Sequence, residues 1–110
     1  MKHVLNLIFK NSNDTYTLFN EIRKHGFNGT VFKTTSLKHA IEGTDSDERH
    51  FLNLAHLEQH HFEEAAFAVI IVDEERLEEL KDIIREKTEN FTKLRGGMYS
   101  HPAVDFEGSF

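Results

Sequence analysis

Residues 56–64, HLEQHHFEE, bring three histidines and three glutamates into nine positions of a chain without cysteine. If residues 48–60 are helical, His56 and His60 stand at i and i+4 on one face, about 5–6 Å apart between Cβ atoms. Imidazoles at that spacing can hold Zn, Ni or Cu, and Glu63 or Glu64 could add an oxygen. A third ligand would have to come from His50, His61, His39 or a neighbouring subunit. The HExxH metalloprotease pattern is absent, because Glu58 sits one place too late. The same imidazoles could act as a proton switch, since histidine changes charge between about pH 5 and 8. The simplest reading is a solvated loop face on an acidic protein, and no metal site is assigned. His3, His25 and His101 are read as surface residues or strand-end packing.

No Ser or Thr stands in a nucleophile motif, and the phosphate-loop pattern GxxxxGK[ST] is missing. The chain is therefore expected to be a non-enzyme with no cofactor. A formal charge of −6 argues against a nucleic-acid polymer as the main partner, because phosphate backbones need a basic face. A local basic cluster could still hold a small anion. The absence of cysteine leaves no disulfide and no thiolate chemistry, and fits a reducing, cytoplasmic setting. The longest apolar run, Ala65 to Val72, has eight residues against the roughly 20 that a membrane-spanning helix needs. The opening MKHVLNLIFKN is basic and then apolar, but it is short, interrupted by Asn6 and without a small-residue cleavage site.

That opening reads as a strand instead, through Val4 to Phe9. Asn11-Ser12-Asn13-Asp14 is a turn and N-cap cluster, after which Leu18, Phe19 and Ile22 recur at helical spacing. His25-Gly26 supplies the stop, with Gly26 as the left-handed residue, and a second strand is expected from Gly29 to about Leu37. Glu64 to Val72 is apolar on both pleat faces and so reads as a central strand. Asp73 is placed to cap a helix from Glu74 to about Glu89, with Leu77, Leu80 and Ile84 on its buried stripe. A last extended stretch is read through Met98-Tyr99-Ser100 and, after Pro102, Val104 to Phe106. The order βαββαβ predicts one α+β domain over residues 1–110, a ferredoxin-like sandwich with two helices on one face of an antiparallel sheet.

Strands two and three are joined by about 25 residues, Lys38 to Phe62, where a hairpin needs two to five. Asp45 with Glu48 resembles a capping box, and Phe51, Leu54, Ala55 and Leu57 give a short amphipathic stripe.

This order, this insertion, and the segments GFNGTVFKTTSLKHAIEG (26–43) and KLRGGMYSHPAVDFEG (93–108) resemble the PII-like (GlnB-like) signalling superfamily over nearly the whole chain. The resemblance implies a homotrimer that binds a small effector between subunits. Its T-loop-like insertion, 38–62, would act on a partner protein. It places Thr34, Thr35, Ser36 and Lys38 on one side of each cleft, with Lys93, Arg95, Gly96 and Gly97 on the other. The residue types suit an anion, since glycines admit close backbone approach and Lys and Arg supply counter-charge. An adenine or cyclic nucleotide is one such effector. The Thr-Thr pair is similar to that of the cyclic di-AMP receptors of the superfamily, without their glycine-rich stretch. No Tyr lies between Tyr16 and Tyr99, so regulation by uridylylation is not expected. The alternative is a metal-binding trimer similar to the CutA branch, using His56 and His60.

Overall fold

A computed structural model describes residues 1–10, 12–34 and 65–109. Its elements run β1 (Lys2–Lys10), α1 (Asn13–Lys24), β2 (Gly29–Thr34), β3 (Ala65–Asp73), α2 (Glu74–Thr88) and β4 (Gly96–Pro102). The four strands form one antiparallel sheet in the order β2-β3-β1-β4. The βαββαβ expectation holds, and Ala65–Asp73 is a central strand.

Alternation along the strands sorts the side chains between two faces. Leu5, Leu7 and Phe9 of β1, with Ala68, Ile70 and Val72 of β3, point to the helices. There they meet Leu18 and Ile22 of α1 and Leu80 and Ile84 of α2. Each helix therefore buries the apolar stripe that its 3.6-residue period provides. No described helix or strand lies on the opposite face of the sheet.

The first helix begins and ends by its own chemistry. Ser12 is the N-cap, its hydroxyl accepting from the Thr15 N–H, while Gly26 takes a φ of +89°. Around that glycine the Phe27 N–H donates to the Ile22 carbonyl and the Gly26 N–H to that of Arg23, a Schellman closure.

Two local expectations are corrected. Asp73 stands at the N-cap of α2 but makes no side-chain cap bond, because its carboxylate pairs with Lys2 at 2.7 Å. The last strand is one continuous run from Gly96 through Pro102, and 104–105 form a turn. Pro102 is tolerated because β4 is an edge strand. The second strand ends its described part at Thr34, and residues 35–37 lie outside the described residues.

Candidate functional site

Four chain segments meet the rim at one end of the sheet. Thr34 closes β2 opposite Ala65, Ala65 pairs with Lys10, and Gly96 opens β4 opposite Phe9. The two candidate half-sites thus share one end of the sheet. They stand on its two opposite edges, with β3 and β1 between them. Three inter-strand spacings separate them, about 14 Å. One chain does not bring Thr34 and Gly96 together. Thr35, Ser36 and Lys38 lie outside the described residues, as do His56, His60 and the rest of the 38–62 insertion.

The α2–β4 connection is built from the helix end outward. Glu89, Asn90 and Phe91 all take positive φ, at 51°, 56° and 66°. Left-handed backbone costs roughly 1–2 kcal/mol for most non-glycine residues, and asparagine tolerates it best. Hydrogen bonds hold the run in place. The Asn90 N–H donates to the Arg85 carbonyl and the Glu89 N–H to that of Glu86, a Schellman closure with glutamate where glycine is usual. The pattern then repeats: the Lys93 N–H donates to Thr88 and the Thr92 N–H to Glu89. The fully buried Thr88 hydroxyl donates to the Ile84 carbonyl at 2.7 Å and accepts the Phe91 N–H at 3.1 Å. Phe91 stacks on Phe9 with ring centroids 6.1 Å apart.

Beyond this turn Leu94 is buried in the core, so its neighbours Lys93 and Arg95 project outward from an anchored segment. Neither cation has a carboxylate partner among the described residues. Arg76 and Arg85, in contrast, are both paired with acids on α2. Two exposed cations on a rigid base can hold an anion without first breaking an ion pair.

The two glycines differ. A Cβ at Gly96 would lie 2.2 Å from the Ile8 carbonyl oxygen and 2.3 Å from the Phe9 ring, so strand packing demands glycine there. A Cβ at Gly97 would meet nothing within 4 Å. Both belong to β4, not to a free loop. Reading the KLRGG segment alone misses the turn that aims it. The signal was the helical stripe of α2, which continues from Leu80 and Ile84 to Thr88 and places a hydroxyl where the helix must stop.

The perturbed titrating groups lie at the far end of the sheet. A hydrogen bond and charge from Lys2 hold the Asp73 carboxyl below its ordinary range. Arg76 does the same to Glu79, and Glu79 in turn raises Arg76. The Arg76 guanidinium also lies 4.1 Å from the Phe27 ring centroid and donates to the His25 carbonyl at 2.9 Å, tying α2 to the α1–β2 corner. His3 packs at the same strand end, its buried Nε2 3.9 Å from the Glu74 carboxylate and without a hydrogen bond. These contacts are structural ties, and no described group of three or more His, Asp or Glu is arranged to hold a metal. No described helix is long and apolar enough to cross a membrane.

No protein-family model matches the chain, and no curated protein matches it. Among solved structures, a functionally unknown protein from Pediococcus pentosaceus ATCC 25745 is similar, with a TM-score of 0.59 at 16% identity. The match covers 98% of this chain and 96% of that one. At that identity the likeness is one of fold.

Proposed function

We propose that the chain is the subunit of a PII-like, non-catalytic homotrimer that senses a small anionic effector between subunits in the cytoplasm. The effector, of which adenine and cyclic nucleotides are the leading class, sits between Thr34, Thr35, Ser36 and Lys38 of one subunit and Lys93, Arg95, Gly96 and Gly97 of the next. It shifts the population of conformations of the 38–62 insertion, which acts on a partner protein.

The observation that carries this reading is the placement of Thr34 and Gly96 at one end of the sheet but on opposite edges. In a closed ring, heterologous contacts set one edge of each subunit against the other edge of its neighbour. Two half-sites that are apart within a chain then become adjacent between chains. The pairing also has a compatible sense, since β2 and β4 run antiparallel to each other across the sheet.

The test is a thermal-shift panel of ATP, ADP, AMP and cyclic dinucleotides on protein whose mass has been measured by light scattering. A ligand at a hundredfold excess over its Kd adds about 2.7 kcal/mol, which moves Tm by several degrees. A trimer that no member of the panel stabilises would remove nucleotide sensing. A monomer would remove the intersubunit site altogether.

A further inference from the structure

On their helical side the helices cover the edge strand β2 only in part. Val31 pairs with Ala68 and faces the helices with it, yet it is 53% exposed. Between β2 and α1 lies a groove of about 120 Å³. Phe19 and Ile22 of α1, Phe27 of the α1–β2 corner and Val31 line it, over Ala68 and Ile70 of β3. Two small residues make the hollow. Gly29 and Ala68 share this pleat face with Val31 and Ile70, and neither fills the space. A larger residue at 29 is excluded, since a Cβ there would lie 2.2 Å from the Val69 carbonyl oxygen.

Charge enters this apolar groove at one point. Arg23, in the last turn of α1, is the single charged side chain that lines it. Its guanidinium donates to the neutral Asn20 carboxamide oxygen at 2.9 Å. It has no carboxylate partner among the described residues, and the adjacent Glu21 lies 3.8 Å from His25 instead. The bond to Asn20 holds the guanidinium without neutralising it.

We propose that this groove binds a small aromatic monocarboxylate, with the ring in the hollow and the carboxylate on Arg23. The site is complete within one chain and lies at the start of β2, away from Thr34, so it does not depend on the trimer reading. Size limits the body of the ligand. An apolar cavity of about 150 Å³ takes benzene, so this groove, open on one side, holds a single ring. Phe19 and Phe27 offer that ring edge or offset contacts. Charge selects the acid over its neutral analogue, because a planar guanidinium can grip a carboxylate through two parallel hydrogen bonds. No ion pair has to break first. A free acid and the C-terminal phenylalanine of a peptide share this chemistry, and the test separates them.

The experiment is a methyl-resolved NMR titration of the wild type, Arg23→Gln and Val31→Phe with phenylacetate. The methyl signals of Ile22, Val31, Ala68 and Ile70 should move, with a Kd in roughly the millimolar range of so small a ligand. Arg23→Gln should weaken phenylacetate about fivefold, the worth of an exposed ion pair. Phenylacetamide should bind the wild type and Arg23→Gln alike. Val31→Phe changes an exposed edge position, so it should stay folded by circular dichroism and lose the response as its own ring takes the space. Acetyl-Gly-Phe should bind more weakly than phenylacetate where the occupant is a free acid, and more tightly where it is a chain end. No movement of these methyls in the folded wild type overturns the site. Equal phenylacetate affinity in Arg23→Gln overturns the place of the carboxylate, and full binding by Val31→Phe overturns the place of the ring. A monomeric wild type that binds phenylacetate removes the trimer reading and leaves this site standing.

Discussion

The Thr88 hydroxyl bridges the end of one helix to the backbone of Phe91, accepting the Phe91 N–H at 3.1 Å while donating to the Ile84 carbonyl at 2.7 Å. Both groups sit at the root of the segment that carries Lys93 and Arg95. Thr88→Val keeps the volume but removes the hydroxyl, leaving the Phe91 N–H unmatched beside a left-handed backbone. The expected loss is about 1–3 kcal/mol, the penalty for a buried group without its partner. It would be read as a lower urea midpoint with an unchanged slope. Thr88→Ser keeps the bond and should fall between the two. Equal stability of wild type and Thr88→Val would show that the hydroxyl does not hold the turn.

The neighbouring glycines should respond in opposite ways. Gly96→Ala drives a methyl group to 2.2 Å from the Ile8 carbonyl oxygen, so β4 must shift away from β1. A cost of several kcal/mol is expected, because backbone rather than a flexible side chain has to move. Gly97→Ala meets open space in an extended strand. It should be neutral or stabilising by about 0.5–1 kcal/mol, through the lower entropy of the unfolded chain. Paired urea curves decide the point, and similar losses in both variants would contradict the packing assigned to Gly96.

Most of the fold was legible because its signals are local. Ser12, the Leu18–Ile22 spacing and Gly26 mark α1, and the run through Ala65 to Val72 marks the central strand. What escaped depends on contacts far along the chain. Asp73 has the right type and place for a helix cap, yet Lys2, distant in the sequence but adjacent across the sheet, draws its carboxylate away. Val31 and Phe32 read as an ordinary strand, and only the sheet order makes β2 an edge on which they are 53% and 49% exposed. The candidate site was half legible. Lys93 and Arg95 stand out by residue type, but their outward aim comes from the burial of Leu94 and the Thr88 turn. Gly96 looked like part of an anion cradle, although strand packing alone accounts for its glycine.

The Lys2–Asp73 pair predicts a pH dependence. Asp73 has a lowered folded-state pKa because Lys2 bonds to it and lies close in charge. A carboxyl with a lowered pKa stabilises the fold fully above its unfolded value, near 4, and loses that contribution as pH falls through the folded value. Glu79, lowered by Arg76, acts in the same direction. Urea midpoints of wild type and Lys2→Met should differ most near pH 6, and the gap should narrow as pH drops below about 4. A gap constant from pH 6 to pH 3 would mean that packing of the lysine stem, not the ion pair, is responsible.

Holding the basic segment in place and using it to bind are separable. Lys93 and Arg95 are exposed, while Leu94 between them is buried in the core. Lys93→Ala with Arg95→Ala should leave the melting temperature of the ligand-free protein within about a degree, since surface substitutions usually stay within about 0.5 kcal/mol. The same double variant should abolish the thermal shift produced by whichever nucleotide stabilises the wild type. Leu94→Ala should do the reverse, costing about 2–5 kcal/mol of stability as a buried side chain is truncated. Its ligand shift, measured where it remains folded, should persist in weakened form. An undiminished nucleotide shift in the Lys93 and Arg95 double variant would place the effector elsewhere, because the proposed cleft draws its counter-charge on that half from those two side chains.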